Sequence, residues 1–170
     1  VEVVVDNAGL ISGNTGLLIE AGSVVISNSG RITGVDEPTD GLDDIGDLDS
    51  SIGIVALVDG AAEIGNSGTI SGSVAGILVD GDLFLENTGT ISGGEAGVSL
   101  LGGAIHNAEG GVISGGGGIE LLDPEASAEL INDGAIRATE DVAVNFGNGA
   151  IYNSGSIVSL GRYDEDDPLA

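Results

Sequence analysis

A seven-residue pattern, Asn-x-Gly-x-Ile-Ser/Thr-Gly, returns along this chain at intervals that few folds can accommodate. It reads Asn7-Ala8-Gly9-Leu10-Ile11-Ser12-Gly13, then Asn28-Ser29-Gly30-Arg31-Ile32-Thr33-Gly34, Asn66-Ser67-Gly68-Thr69-Ile70-Ser71-Gly72 and Asn87-Thr88-Gly89-Thr90-Ile91-Ser92-Gly93. Degenerate copies begin at Asn107, Asn132 and Asn153. Successive asparagines are 21, 38, 21, 20, 25 and 21 residues apart, a period of about 21 with one large and one small insertion. Fixed periods of this length are the signature of stacked repeats, in which each unit buries its apolar face only against its neighbours.

Within each period apolar residues alternate with a spacing of two, the periodicity of a strand. The residue two before each asparagine is apolar: Val5, Ile26, Ile64, Leu85, Ile105, Leu130 and Ile151. A second inward position holds Ile11, Ile32, Ile70, Ile91, Ile113, Ile136 and Ile157. A third stretch offers Leu17 and Ile19, Ala56 and Val58, Ile77 and Val79, Val98 and Leu100, Ile119 and Leu121, and Val142 and Val144. Three strands this short cannot pair within one coil, but each can pair in parallel with its counterpart one coil away. The expected fold is all-β, a parallel β-helix (β-solenoid) of about seven coils with three short strands per coil. At a strand spacing of about 4.8 Å, seven coils give a rod of roughly 30 to 35 Å.

Such stacking places like on like. Asn7, Asn28, Asn66, Asn87, Asn107, Asn132 and Asn153 are therefore expected to form a structural amide ladder, at a corner where asparagine also tolerates left-handed geometry. Gly9, Gly30, Gly68, Gly89, Gly134 and Gly155 are expected to relieve the same corner sterically. One coil buries about five aliphatic side chains at roughly 1.5 to 3 kcal/mol each, less than the cost of ordering some 21 residues, so no coil is stable alone.

The run Asn-Ser-Gly-Thr-Ile-Ser-Gly at 66–72, with Gly-Ile-Leu-Val-Asp-Gly at 76–81 and Asn-Thr-Gly-Thr-Ile-Ser-Gly at 87–93, resembles the passenger regions of bacterial autotransporters. The resemblance covers nearly the whole chain apart from the large insertion and the tail. It implies a right-handed parallel β-helix carried to the surface of a Gram-negative bacterium, where such passengers act as adhesins, biofilm components or structural stalks. Nothing here resembles the membrane barrel that exports a passenger, because amphipathic strands of about 10 residues with aromatic girdles are missing.

Charge narrows the partners. Three arginines and no lysine stand against 28 acidic residues, a formal net charge of -25, which disfavours nucleic acid and anionic membranes. The apolar fraction of 41% is too high for a disordered acidic chain. No cysteine is present, which removes disulfides, thiolate nucleophiles and thiolate metal sites. The apolar runs are far shorter than the roughly 20 residues of a membrane span, so this segment is not expected to insert into a bilayer. Excess acid without lysine is consistent with a saline or calcium-rich exterior, and it also keeps an open-ended β-rod soluble.

The large insertion, residues 35–51, departs most from the repeat. Its Asp36, Asp40, Asp43, Asp44, Asp47 and Asp49, with Glu37 beside them, are candidate ligands for calcium, a hard cation that takes several oxygens. The spacing matches neither an EF-hand nor the glycine-rich calcium nonapeptide, and the alternative is a solvated acidic loop. Leu42, Ile45 and Leu48 have the spacing of one side of a helical turn. Outward positions Leu18, Leu57 and Leu78 are expected to stack into an apolar stripe, either covered by that turn or left open as an interaction surface.

Enzymatic activity is not expected. Glu86 and His106 hold equivalent outward positions on adjacent coils and Glu63 lies on a neighbouring one, so the three come within reach of each other, as a polysaccharide-acting enzyme would require. Yet the cations are Arg31, Arg137 and Arg162, scattered over the chain, and four aromatic residues give no stacking platform for sugars. His106 is read as a surface histidine. The row Leu10, Arg31, Thr69, Thr90 is too irregular for a threonine ice-binding array.

The expected organisation is one β-helix over 1–163 and an acidic tail or linker over 164–170. No cap is evident before Val1-Glu2-Val3-Val4-Val5, which fits a chain that continues upstream or copies that stack head to tail. The sequence thus points to a non-enzymatic structural or adhesive solenoid outside the cell, at a bacterial surface, whose partners are itself or a host or matrix surface. A self-assembling extracellular filament subunit is the alternative.

Overall fold

The structure, a computed structural model, describes residues 1–35 and 51–161. The first coil contains β1 (Glu2–Asn7), β2 (Leu10–Gly13) and β3 (Leu17–Ala21), and the second opens with β4 (Ser23–Asn28) and β5 (Arg31–Gly34). The next three turns are built from β6 (Ile52–Asn66), β7 (Thr69–Ser71), β8 (Ala75–Asn87), β9 (Thr90–Ser92), β10 (Ala96–Asn107), β11 (Val112–Gly115) and β12 (Gly117–Leu121). The last two contain β13 (Ser127–Asn132), β14 (Ala135–Ala138), β15 (Val144–Asn145), β16 (Asn148–Asn153) and β17 (Ser156–Ser159). No helix occurs among the described residues. The chain is an all-β parallel solenoid of seven coils.

Among the described residues all strand pairs are parallel and join a residue to its equivalent in the next coil. On the first face, which carries the asparagines, β1 pairs β4, β4 pairs β6, and the series continues through β8, β10, β13 and β16. The second face is the seven-stranded sheet β2-β5-β7-β9-β11-β14-β17. The third runs from β3 through β6, β8, β10 and β12 to β15. In the central coils the third strand and the first strand of the next coil are not separate, as three short strands per coil would require. They fuse into the long bent strands β6, β8 and β10, with register shifts at Leu57/Ala61 and Leu100/Gly102 where the chain rounds the corner. First and third faces thereby share one ten-stranded sheet.

The core is a set of aliphatic columns parallel to the rod axis. Ile32, Ile70, Ile91, Ile113 and Ile136 are wholly buried in the second-face column, and Ile26, Ile64, Leu85, Ile105 and Leu130 fill the first-face column. On the third face the columns are Leu17-Ile54-Ile77-Val98-Ile119-Val144 and Ile19-Ala56-Val79-Leu100-Leu121. This corrects two inward assignments. In the second coil Ile54 and Ala56 take the places expected for Ala56 and Val58. In the sixth, Val144 lies level with Ile119, and Val142 is exposed.

The apolar stripe is corrected by the same shift. Val55, not Leu57, joins Leu18 to Leu78, while Leu57 pairs with Glu20 and Asp80. The run from Ile52 to Val58 contains one glycine and otherwise only apolar residues, so a slip of two conserves every inward and outward assignment and the alternation cannot detect it. Steric fit detects it. Gly16 directly precedes β3, and Gly53, Gly76, Gly97 and Gly118, the second residues of β6, β8, β10 and β12, continue its row at the start of the third face. A Cβ at Gly97 would sit 2.6 Å from Ile113 Cγ2 and 2.8 Å from Gly118 O. The equivalent site in the sixth coil is Ala143, directly before Val144.

The ends of the large insertion are tied into the stack. Val35 N donates to Gly13 O at 2.8 Å, and Ser51 accepts from Ser73 N at its hydroxyl and from Val74 N at its carbonyl, both at 3.0 Å. The carboxylates Asp36, Asp40, Asp43, Asp44, Asp47 and Asp49, the apolar residues Leu42, Ile45 and Leu48, Arg162 and the tail 164–170 lie outside the described residues. The small insertion falls mainly at the corner 122–126, which closes on itself through Ala126 N to Asp123 O at 3.1 Å and Glu125 N to Asp123 Oδ1 at 2.9 Å.

Candidate functional site

The asparagines stand in one line at the corner between the first and second faces. Asn7 Nδ2 donates to Asn28 Oδ1 at 2.8 Å, and the same bond joins Asn28 to Asn66, Asn66 to Asn87, Asn87 to Asn107 and Asn107 to Asn132 at 2.8 Å, and Asn132 to Asn153 at 2.7 Å. Each Nδ2 from Asn7 to Asn132 also lies within 3.5 Å of two backbone carbonyls, one in its own turn and one in the next coil. Asn7 through Asn132 are buried, so the ladder satisfies amides that water does not reach. No described non-glycine residue has positive φ, which corrects the left-handed expectation: the asparagines hold the corner through hydrogen bonds alone. Two positions on, Gly30, Gly68, Gly89, Gly134 and Gly155 are needed for close approach, since a Cβ there would collide with a backbone carbonyl of the coil before, as one at Gly89 would with Gly68 O. Gly9, which has no coil before it among the described residues, has nothing within 4 Å, which corrects its steric assignment.

With the inner side filled, chemistry is left to the outer faces, and these differ in charge. The second-face strands contain Arg31 and Arg137 and no carboxylate. The first face is acidic and carries a groove of about 480 Å³. Pleating directs two rows of side chains outward there, spaced by the strand separation of about 4.8 Å. One row runs Val25, Glu63, Phe84, Ala104, Glu129, and the other Ser27, Gly65, Glu86, His106, Ile131. The depression arises because Ala104 presents almost no side chain beside the larger Phe84, His106 and Ile131, and Gly65 presents none between Ser27 and Glu86. Phe84 is 49% exposed and Ile131 39%, so its apolar surface is open to solvent.

At the edge of the groove His106 is held from both sides. Its Nδ1 lies 2.8 Å from Glu86 Oε2 in the coil before, and its Nε2 lies 3.1 Å from Asp133 Oδ2 in the coil after. Asp133 in turn accepts a short hydrogen bond from the Ser154 hydroxyl, so four successive coils are joined on the outside. The Asp133 contact chiefly raises the His106 pKa above its ordinary value, opposed by slight burial and aided by Glu86. The Ser154 bond, then His106, lowers that of Asp133. Both carboxylates thus shift the ring toward the imidazolium, in which both N–H groups are donated to them. Ser154 bonds to the aspartate and not to the imidazole, so the cluster lacks the order of a serine-histidine-acid triad, where the base touches the nucleophile.

The sequence brings Glu86 and His106 to adjacent coils and the structure joins them. Glu63 lines the groove but makes no hydrogen bond or ion pair with His106. The repeat pattern by itself does not mark Ser154, Phe84 or Glu129. A signal for Asp133 exists: among the residues that directly follow the ladder asparagines it is the only acid, where the others are Ala8, Ser29, Ser67, Thr88, Ala108 and Ser154. Among the described residues no group of three His, Asp or Glu side chains is arranged to hold a metal ion. Comparisons of the chain with protein-family models, with curated proteins and with solved structures found no match in any of the three.

Proposed function

We propose that the chain is a non-enzymatic structural and adhesive rod, a segment of a secreted protein exposed at a bacterial surface and similar in role to an autotransporter passenger. The observation that carries this reading is the unbroken inner stack. From the first coil to the seventh, the strands, the aliphatic columns and the asparagine ladder stay in step, with residues of every coil committed to rigidity. What remains is a set of outer faces, the first of them grooved, suited to display. The resemblance of the repeated Asn-Ser-Gly-Thr-Ile-Ser-Gly run supports the surface location, and the high acidity suits a rod kept soluble outside the cell. His106 supports the non-enzymatic part, because both of its ring nitrogens are engaged and neither is free to take a proton from a substrate in the groove.

The test is antibody labelling of the native protein on intact source cells, with permeabilised cells beside them. Labelling of intact cells, removed by external protease, is the expected result. Labelling that needs permeabilisation would overturn the surface reading.

A further inference from the structure

The groove on the first face has a spacing that selects its occupant. Glu63 and Glu129 lie in the same outward row, three coils apart, which is about 14 Å at the strand separation. Between them in that row stand Phe84 and Ala104. Neither glutamate forms a hydrogen bond or an ion pair among the described residues, whereas Glu86, in the second row, is taken by His106. The row therefore reads free carboxylate, apolar floor, free carboxylate. An extended peptide laid along the rod axis rises about 3.4 Å per residue and turns every second side chain to one side, so its residues i and i+4 are about 13.5 Å apart and face the same way as i+2.

We propose that this groove binds an extended segment of a partner protein that carries cationic side chains at i and i+4 and an apolar side chain at i+2. The cations pair with Glu63 and Glu129, and the apolar residue rests on Phe84 and Ala104 against Ile131. Charge complementarity favours this occupant over an acidic or neutral one, because the chain carries -25 and, of the charged groups that line the groove, His106 is paired with Glu86, which leaves the carboxylates of Glu63 and Glu129 unpaired. The inference deepens the adhesive part of the proposed function by naming the chemistry of its target. It is tested on the purified chain, so its outcome is separate from that of cell labelling.

The probe is fluorescein-labelled Gly-Arg-Ser-Leu-Ser-Arg-Gly, followed by fluorescence anisotropy at physiological salt. A control peptide of the same composition, Gly-Ser-Arg-Arg-Leu-Ser-Gly, has the same charge with adjacent arginines. The spaced peptide is expected to bind about tenfold more tightly than the control, with Glu63→Gln and Glu129→Gln each weakening it about threefold. Phe84→Ala weakens it as well, and Glu20→Gln, which removes one charge from the third face, leaves it within a factor of about 1.5. All four substitutions are at exposed side chains, so folding is retained and circular dichroism confirms it. Equal affinity for the two peptides, or equal loss with Glu20→Gln and Glu63→Gln, would show attraction to net charge alone and overturn the proposal. So would absence of binding to the spaced peptide.

Discussion

At the scale of single residues, the asparagines show how position decides cost. Asn87 is fully buried, takes a bond from Asn66 and gives one to Asn107. Asn87→Ala leaves Asn107 Oδ1 buried and without the amide donor that faced it, so it is expected to cost about 2 to 4 kcal/mol. Asn153 is exposed, and Asn153→Ala is expected to cost less than about 1 kcal/mol, because water replaces the lost partner. Urea unfolding of the two variants compares them directly. His106 offers a second test, since the chain has one histidine and its pKa can be read from a single imidazole resonance. That pKa should lie above 6.5, and Asp133→Asn and Glu86→Gln should each lower it. The raised histidine stabilises the fold fully below its ordinary value of 6.5 and loses that contribution as pH rises through the folded value. The depressed Asp133 contributes above its ordinary 3.8 and loses it as pH falls through its folded value. The two overlap between 3.8 and 6.5, where the clamp across four coils is strongest.

At the scale of the strand, the governing contact is between the glycine at the start of each third-face strand and a second-face isoleucine. Gly97 leaves the space that Ile113 Cγ2 fills, and a Cβ would also crowd Ser114 O at 3.0 Å. Backbone lies on two of the three sides, so the strain cannot be relieved by turning one side chain. Gly97→Ala is therefore expected to destabilise by about 1 to 3 kcal/mol. Gly9 has nothing within 4 Å of its Cβ direction, and Gly9→Ala should stay within about 0.5 kcal/mol of the parent. Thermal unfolding of both variants makes the comparison, and equal losses would show that glycine's backbone freedom, not the packing of Ile113, is what matters. The same contact fixes register in the second coil, where apolar residues on both sides of the strand leave alternation without a voice.

At the scale of the molecule, the balance is between a short-range stack and a long-range repulsion. The His106 cluster provides the only ion pairs among the described residues, against a net charge of -25 over the whole chain. Raising ionic strength from 0.01 to 0.15 M shortens the screening length from about 30 Å to about 8 Å, so it weakens repulsion across the rod more than it weakens one contact pair. The melting temperature is expected to rise by several degrees over that range. A fall would mean that the exposed clamp, and not the sum of the repulsions, controls stability.

The repeat period, the parallel stack and the inward columns on the first and second faces were legible in the sequence, because each is a local pattern copied coil after coil. Asn7 to Asn153 and Ile11 to Ile157 announce themselves by recurrence, and a solenoid converts recurrence directly into contact. What recurrence does not encode is a two-residue choice of register, or a meeting of residues that hold different places in the repeat. Val55 beneath Leu78 was decided by the fit of Gly53 against Ile70. His106 reaching Asp133, one position before its asparagine and one after the next, was decided by the path of the chain around the corner. The groove depends on Gly65 and Ala104 being small beside Phe84 and Ile131 on neighbouring coils, a relation between side-chain volumes that exists only once the coils are stacked.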